Sequence, residues 1–344
     1  IDEARQRTAD LLGALPEEII FTACGTESDN AAIRSALETY PERRHIITTR
    51  VEHPAVLTPC RNLSKRGYRV TELSVDGEGR LDLDELRRVI DENTAIVSVM
   101  YANNETGVVF PIEEVGAIVK ENGAIFHTDA VQAVGKIPLN MAESTVDMLA
   151  LSGHKLHAPK GIGALYVRKG TPFRPFLVGG HQERSRRAGT ENTAGIIALG
   201  KACELAARQL EDENTRVKAM RDRLEGEILR LIPNVRVNGG ATQRLPNTCS
   251  VAFEYVEGEA ILLLMSEKGI CASSGSACTS GSLEPSHVLR AMGVPFTCAH
   301  GSIRFSLSRF TTDDDIDTII RELPPIIHRL RELSPFGREF LTKG

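Results

Sequence analysis

From residue 17 onward, short β-branched and apolar runs alternate with amphipathic stretches, and this alternation narrows the possible folds more than any other feature of the chain. Ile19-Ile20-Phe21-Thr22 reads as a strand, followed over residues 28–40 by a helix with Ile33, Ala36, Leu37 and Tyr40 on one face. Residues 46–49, 95–100, 124–126, 148–151 and 163–167 read as further strands. Strands apolar on both faces must be covered on both, and helices between strands supply that cover as crossover connections. The expectation is an α/β fold whose large domain has three layers around a mostly parallel sheet. Near residue 200 the pattern changes. Residues 201–231 form a long charged helical stretch with apolar Leu205, Leu210, Val217, Met220, Leu224 and Ile228, and 250–255 and 303–307 read as strands. A large domain over 1–210 and a smaller α/β domain over 211–344 are therefore expected.

Composition excludes several classes of function. The 344 residues are 41% hydrophobic, enough for a substantial core, and 41 basic against 46 acidic residues leave a net charge of −5. Without a basic run, neither nucleic acid nor an anionic membrane surface is expected as a partner. The apolar run Ile261-Leu262-Leu263-Leu264-Met265 is too short to span a bilayer, and no signal peptide stands out. Seven cysteines, an odd number without CxxC spacing, argue against a disulfide framework or a zinc ribbon, so a cytoplasmic protein without a metal is expected. Ile1 lies in a helical-looking stretch over 1–12 with no residue before it to cap the helix, from which a missing N-terminal segment is expected.

Four short motifs bear chemistry, each beside a plainer alternative. Gly25-Thr26-Glu27-Ser28 follows a strand and opens a helix, where free N–H groups and the helix dipole suit a phosphate; Gly-Thr is also an ordinary helix start. His127-Thr128-Asp129-Ala130-Val131-Gln132 ends a strand, where open α/β sheets face a ligand crevice; an Asp there can equally cap the next helix. Lys155 stands among Ser152, His154 and His157, a crowded polar setting for a residue type that is usually a solvated charge. Ser273-Ser274-Gly275-Ser276-Ala277-Cys278-Thr279-Ser280-Gly281-Ser282 sets one thiol among small hydroxylated residues, either a nucleophile with access or a linker with an incidental cysteine. An amine, a carboxylate and a phosphate cradle together fit pyridoxal phosphate. His53, before the helix-starting Pro54, is an imidazole to lie over the ring, or a surface histidine capping that helix.

With these stand Asn103-Asn104-Glu105-Thr106-Gly107, Arg187-Ala188-Gly189-Thr190-Glu191-Asn192 and Ser302-Ile303-Arg304-Phe305-Ser306. In this order, and through essentially the whole chain, the motifs closely resemble the NifS-like cysteine desulfurases, in the class V branch of fold-type I pyridoxal-phosphate enzymes. The resemblance implies that Lys155 forms the Schiff base, Asp129 pairs with the pyridine nitrogen, Gln132 bonds the ring oxygen and His53 stacks on the ring. It implies that Gly25, Thr26, Ser152 and His154 bind the phosphate, with Thr190 reaching it from a second subunit of a homodimer. Asn104 would contact cofactor or substrate, Arg304 would take the substrate carboxylate, and Cys278 would accept the sulfur. Cys24, Cys60, Cys203, Cys249, Cys271 and Cys298 have no implied role and are expected to be small buried hydrophobes. The Asp-Asn-Ala-Thr-like strand with which relatives begin is not found here, which removes one wall of the active site and part of the dimer contact from the expectation.

The implied reaction converts L-cysteine to alanine and leaves a persulfide on Cys278 for a sulfur-acceptor or iron–sulfur scaffold protein, with cluster assembly, nitrogenase included, as its destination. Selenocysteine lyase or a small-amino-acid aminotransferase is the rival enzyme reading, and a non-catalytic sulfur-relay scaffold the rival of another class. An exposed thiol on a small-residue loop has no use in a transaminase.

Overall fold

A computed structural model describes residues 1–274 and 285–334. The chain divides into two compact units. The first comprises Ile1–Ser74, Leu81–Asn103 and Val109–Leu210; the second comprises Val75–Arg80, Asn104–Val108 and the described part of Glu211–Gly344. A single cut at residue 210 would leave 75–80 and 104–108 in the large domain, yet these segments bond inside the second unit. Arg236 Nη2 donates to Gly77 O at 2.6 Å, and Leu245 N–H donates to Gly107 O at 2.8 Å.

The first unit is built on a seven-stranded sheet, with β1 Ile19–Thr22, β2 His45–Thr49, β3 Arg69–Leu73, β4 Thr94–Ser98, β5 Ile125–Asp129, β6 Met148–Ser152 and β7 Gly163–Val167. Its order is β1-β7-β6-β5-β4-β2-β3. The pairs β3–β2, β2–β4, β4–β5 and β5–β6 are parallel, while β7 runs antiparallel to both β6 and β1. The sheet is thus mostly parallel, with its reversal at one end. Helix α1 spans Asp2–Leu12, α2 spans Gly25–Thr39 and α3 spans Pro54–Ser64. Ala32, Ile33 and Ala36 of α2 pack with Ile46, Ile96, Ile125 and Leu165 of the sheet, all within a few per cent of complete burial. Each such isoleucine or leucine contributes about 1.5–3 kcal/mol of transfer free energy, so the unbroken apolar runs account for the sheet interior. Strand β3 escaped the sequence reading because Arg69-Val70-Thr71-Glu72 is half-exposed edge strand, not an apolar run.

In the second unit, β8 Val235–Val237, β9 Thr248–Phe253, β10 Ser273–Ser274 and β11 Ser302–Ser306 form an antiparallel sheet in the order β10-β11-β9-β8. Its core joins Leu224, Ile228, Val251, Phe253, Ile261, Ile303, Phe305, Ile316 and Leu323. The stretch expected as one helix over 201–231 consists of an α-helix Thr193–Asp212, a π-helical turn Glu213–Val217 and a second α-helix Lys218–Leu231. The π turn leaves Val217, Met220 and Leu224 on the buried side, so apolar spacing alone did not reveal it. Among the described residues no helix is long and apolar enough to cross a membrane.

Candidate active site

The sheet reversal gathers one edge of the first unit. Thr22 at the end of β1 and Ser152 at the end of β6 both pair with Gly163, the first residue of β7. The parallel neighbours β5, β4 and β2 end on that side too, so the segments holding Gly25, Thr26, Ser152, Asp129 and His53 leave the sheet along a single edge. Ligands in open α/β sheets bind outside the carboxyl ends of strands for this reason.

Helix α2 approaches that edge closely. A Cβ on Gly25 would lie 2.8 Å from Val131 Cγ2 and 3.4 Å from Ser152 Cβ, so only glycine lets the first turn come so near. The N-terminal N–H groups of a helix have no intrahelical acceptor, and Cys24 at the N-cap offers no side-chain bond. Ser152 Oγ lies 2.8 Å from His154 Nδ1, adding a hydroxyl and an imidazole. Burial, then the charges of Lys155 and Lys160, hold His154 below the usual histidine range. Backbone donors, hydroxyls and a nearby ammonium fit a phosphate.

Asp129 closes β5 with its side chain buried. Its Oδ1 accepts Val131 N–H at 2.9 Å, a local turn bond; among the described residues no helix follows directly for it to cap. Burial pushes its carboxyl up to about 6, eased by the Val131 bond and by the charge of Lys155. Lys155 is half-buried on the 3-10 turn Gly153–Leu156 that follows β6, and Gln132 is half-buried after β5. His53 caps α3, its Nδ1 accepting Ala55 N–H at 3.1 Å, and it shares with Thr26 a cavity of about 420 Å³. A buried acid able to face a ring nitrogen, an amine, a helix-end cradle and an imidazole fit pyridoxal phosphate.

Three buried acid–base groups beside these went unassigned in the sequence. Asp29 on α2 and His127 on β5 approach to 3.5 Å, and His127 Nδ1 lies 2.9 Å from Ser98 Oγ. Burial, then Asp129, Glu52 and Cys24, raises the Asp29 carboxyl well above its usual range; burial pushes the His127 imidazole down to about 3. Glu52 accepts from Thr49 Oγ1 at 2.9 Å and from Met100 N–H at 2.8 Å, and burial pushes it up to about 8. The available signal was parity: His127 and Asp129 stand two apart on one strand face.

Thr190 is exposed and lines a cavity of about 220 Å³ with Thr22, Ala23, Gly161 and Arg187. Arg187 grips Glu27 in the first turn of α2 at 2.8 and 3.1 Å. Upstream, Glu183, Arg184 and Ser185 hold φ of 47, 57 and 61°, a left-handed run that is costly for non-glycine residues. It is held because buried Glu183 pairs with Arg5 through two bonds of 2.7 and 2.9 Å and accepts Phe21 N–H at 3.1 Å.

In the second unit Arg304, on β11, donates from Nη1 to Asn104 O at 2.6 Å, while its buried Nε has no hydrogen-bond acceptor among the described residues. A guanidinium with unspent donors is equipped for a carboxylate. Cys278 lies outside the described residues. Of the other thiols, Cys60, Cys203, Cys249 and Cys298 are buried as expected, with burial raising each above the ordinary range. Cys271 is exposed and Cys24 only half-buried, which corrects the expectation for those two. Neither has an apolar layer over it: one follows an exposed turn, and the other caps α2 at the sheet edge.

The family model for class V aminotransferases matches residues 1–319. A cysteine desulfurase of Trichormus azollae is 66% identical over 336 residues, which cover 98% of this chain and 84% of that protein. The cysteine desulfurase NifS of Azotobacter vinelandii is 59% identical over 337 residues, again 98% of this chain and 84% of the relative. A solved NifS-like protein superimposes with a TM-score of 0.88 at 39% identity, covering 96% of this chain and 87% of that one.

Proposed function

The chain belongs to the class V aminotransferase family and is a cysteine desulfurase; we propose that its first unit holds pyridoxal phosphate on Lys155 and Asp129 and that Cys278 receives the sulfur. The observation that carries the cofactor assignment is Asp129, buried at a strand end with a raised carboxyl and the ammonium of Lys155 as its relieving charge. In this reading Lys155 would hold the cofactor carbonyl, Asp129 its protonated ring nitrogen, Gln132 its ring oxygen and His53 its ring. Gly25, Thr26, Ser152 and His154 hold the phosphate, and the chain works as a homodimer in which the partner's Thr190 reaches the same phosphate.

When bound, the cofactor supplies an electron sink that makes the substrate Cα proton removable. The other steps belong to side chains. Arg304 takes the carboxylate of L-cysteine, and Asn104 contacts cofactor or substrate beside it. Lys155 is the amine that would take the Cα proton. The Cys278 thiolate attacks the substrate sulfur as the Cβ–S bond breaks, so L-cysteine and one thiol become L-alanine and one persulfide. The persulfide then passes to a sulfur-acceptor or iron–sulfur scaffold protein.

The test is turnover of cysteine with and without a thiol reductant. One alanine per persulfide is expected, with sulfide released on reduction; a 2-oxo acid product, or activity confined to selenocysteine, would overturn the reading. For the dimer, mixing inactive Lys155→Ala and Thr190→Ala chains should restore part of the activity, since one of the two sites regains both residues.

A further inference from the structure

Asn104 and Glu105 take hold of both flanks of the stretch that contains Cys278. On one flank, Arg304 donates to Asn104 O at 2.6 Å and is the cross-strand partner of Ser273. On the other, Ser286 Oγ donates to Glu105 Oε2 at 2.5 Å. The same Ser286 oxygen caps the helix His287–Ala291, accepting Val288 N–H at 3.0 Å and Leu289 N–H at 3.5 Å. Residues 275–284 lie between these two flanks in sequence.

The segment carrying the dipeptide has little freedom of its own. Gly107 holds φ at 78°, and a Cβ there would lie 2.9 Å from Thr248 Cβ on β9. Val108 bridges to Arg244, which is itself paired with Glu225 through two bonds of 2.7 Å. Glu105 and Ser286 are buried, so neither can trade its partner for water without cost. Burial pushes the Glu105 carboxyl up to about 7, with Ser286 and then Arg304 pulling the other way.

We propose that Glu105 is a positioning residue for sulfur transfer: together with Ser286 it ties the chain beyond Cys278 to the platform that also fixes Arg304. Substrate recognition and thiol delivery then share one reference, although Glu105 itself touches neither sulfur nor cofactor. This rests on the reading that Arg304 binds the substrate carboxylate and Cys278 accepts the sulfur.

The test uses the full-length holoenzyme with Glu105→Ala, Ser286→Ala, both together, and Ser286→Thr, which keeps hydroxyl and cap. Three quantities are measured: the cofactor absorbance change on adding cysteine, KM for cysteine, and the single-turnover rate of persulfide formation at Cys278 by mass spectrometry. Each alanine variant should slow persulfide formation about ten- to a hundredfold, the range of a lost hydrogen bond to a charged group. The absorbance change and KM should stay within about threefold, the double variant should be no slower than the worse single, and threonine should restore the rate. Should Glu105→Ala fail to fold, Glu105→Gln, which keeps one accepting oxygen, should fold and sit between wild type and Ser286→Ala. Wild-type rates at Cys278 in the Glu105 and Ser286 variants, or multiplying losses in the double variant, would overturn the tie alone. Persulfide on another cysteine in Cys278→Ala would overturn the acceptor assignment, and the tie with it.

Discussion

The sheet edge of the first unit and the Glu225–Arg244 pair of the second bury acids differently. In the second unit Glu225 is matched to Arg244 by a two-bond ion pair, whereas Glu105, met by the Ser286 hydroxyl, is still pushed up to about 7 by burial despite the charge of Arg304. At the sheet edge of the first unit, Asp29, Glu52 and Asp129 are buried, and burial is the leading cause of a raised carboxyl in each. Their relief comes from backbone N–H groups, a threonine hydroxyl and the charge of Lys155. A two-bond pair with arginine occupies both carboxylate oxygens and holds a fold together. Where burial outweighs its partners, a carboxyl is driven upward and stays chemically available.

If this contrast is functional, the largest loss belongs to Lys155. Lys155→Ala should abolish both the visible absorbance of the cofactor-loaded protein and all alanine production; activity retained without that absorbance would remove Lys155 from the site. Next comes the guanidinium that keeps donors in reserve. Arg304→Ala should raise KM for cysteine roughly ten- to a hundredfold, matching about 1.5–3 kcal/mol for a charge-assisted pair, with cofactor absorbance intact. Arg304→Lys should recover only part of this, because an ammonium lacks the planar fork. An unchanged KM would move the carboxylate site elsewhere.

A smaller effect is expected where α2 meets the sheet edge. Gly25→Ala forces a methyl against Val131 and should cost about 1–3 kcal/mol in a thermal or denaturant melt, as overpacking does, while weakening cofactor retention on dialysis. A variant as stable and as fully loaded as wild type would show that the close approach is not needed. A last effect is in pH dependence. Glu52 keeps its proton up to about pH 8 when folded but releases it near 4.5, its ordinary value, when unfolded. The folded state therefore binds the extra proton; this stabilisation is full below pH 4.5 and is lost as pH rises toward 8. Glu52→Gln should flatten that decline, and urea midpoints that fall with pH as steeply as in wild type would contradict it.

Much of the first unit was legible because its determinants are local. Ile19–Thr22 and Gly163–Val167 are strands with the bounds that their apolar runs gave, and α2 begins at the Gly-Thr start singled out for it. Asp129, Ser152 and Lys155 stand where strand ends put them. Other features have no local signature. Edge strand β3 is held by its pairing with β2, and three-residue β8 by its pairing with β9. The π turn at Glu213–Val217 preserves the apolar stripe on either side of it.

The sequence therefore settled the α/β class, the apolar strands of the first sheet, and the residue types offered at each strand end, since side-chain size, branching and turn chemistry act over a few neighbours. Which offers meet was decided only by tertiary structure. The reversal at β7 brought Thr22 and Ser152 to the two sides of Gly163. Folding 104–108 into the second unit placed Asn104 on Arg304 and Glu105 on Ser286, residues about 200 and 181 apart in the chain. Burial likewise raised the carboxyls of Asp29, Glu52 and Asp129 above the ordinary carboxylate range, a change that depends on the dielectric surroundings a fold creates and that no short stretch of sequence contains.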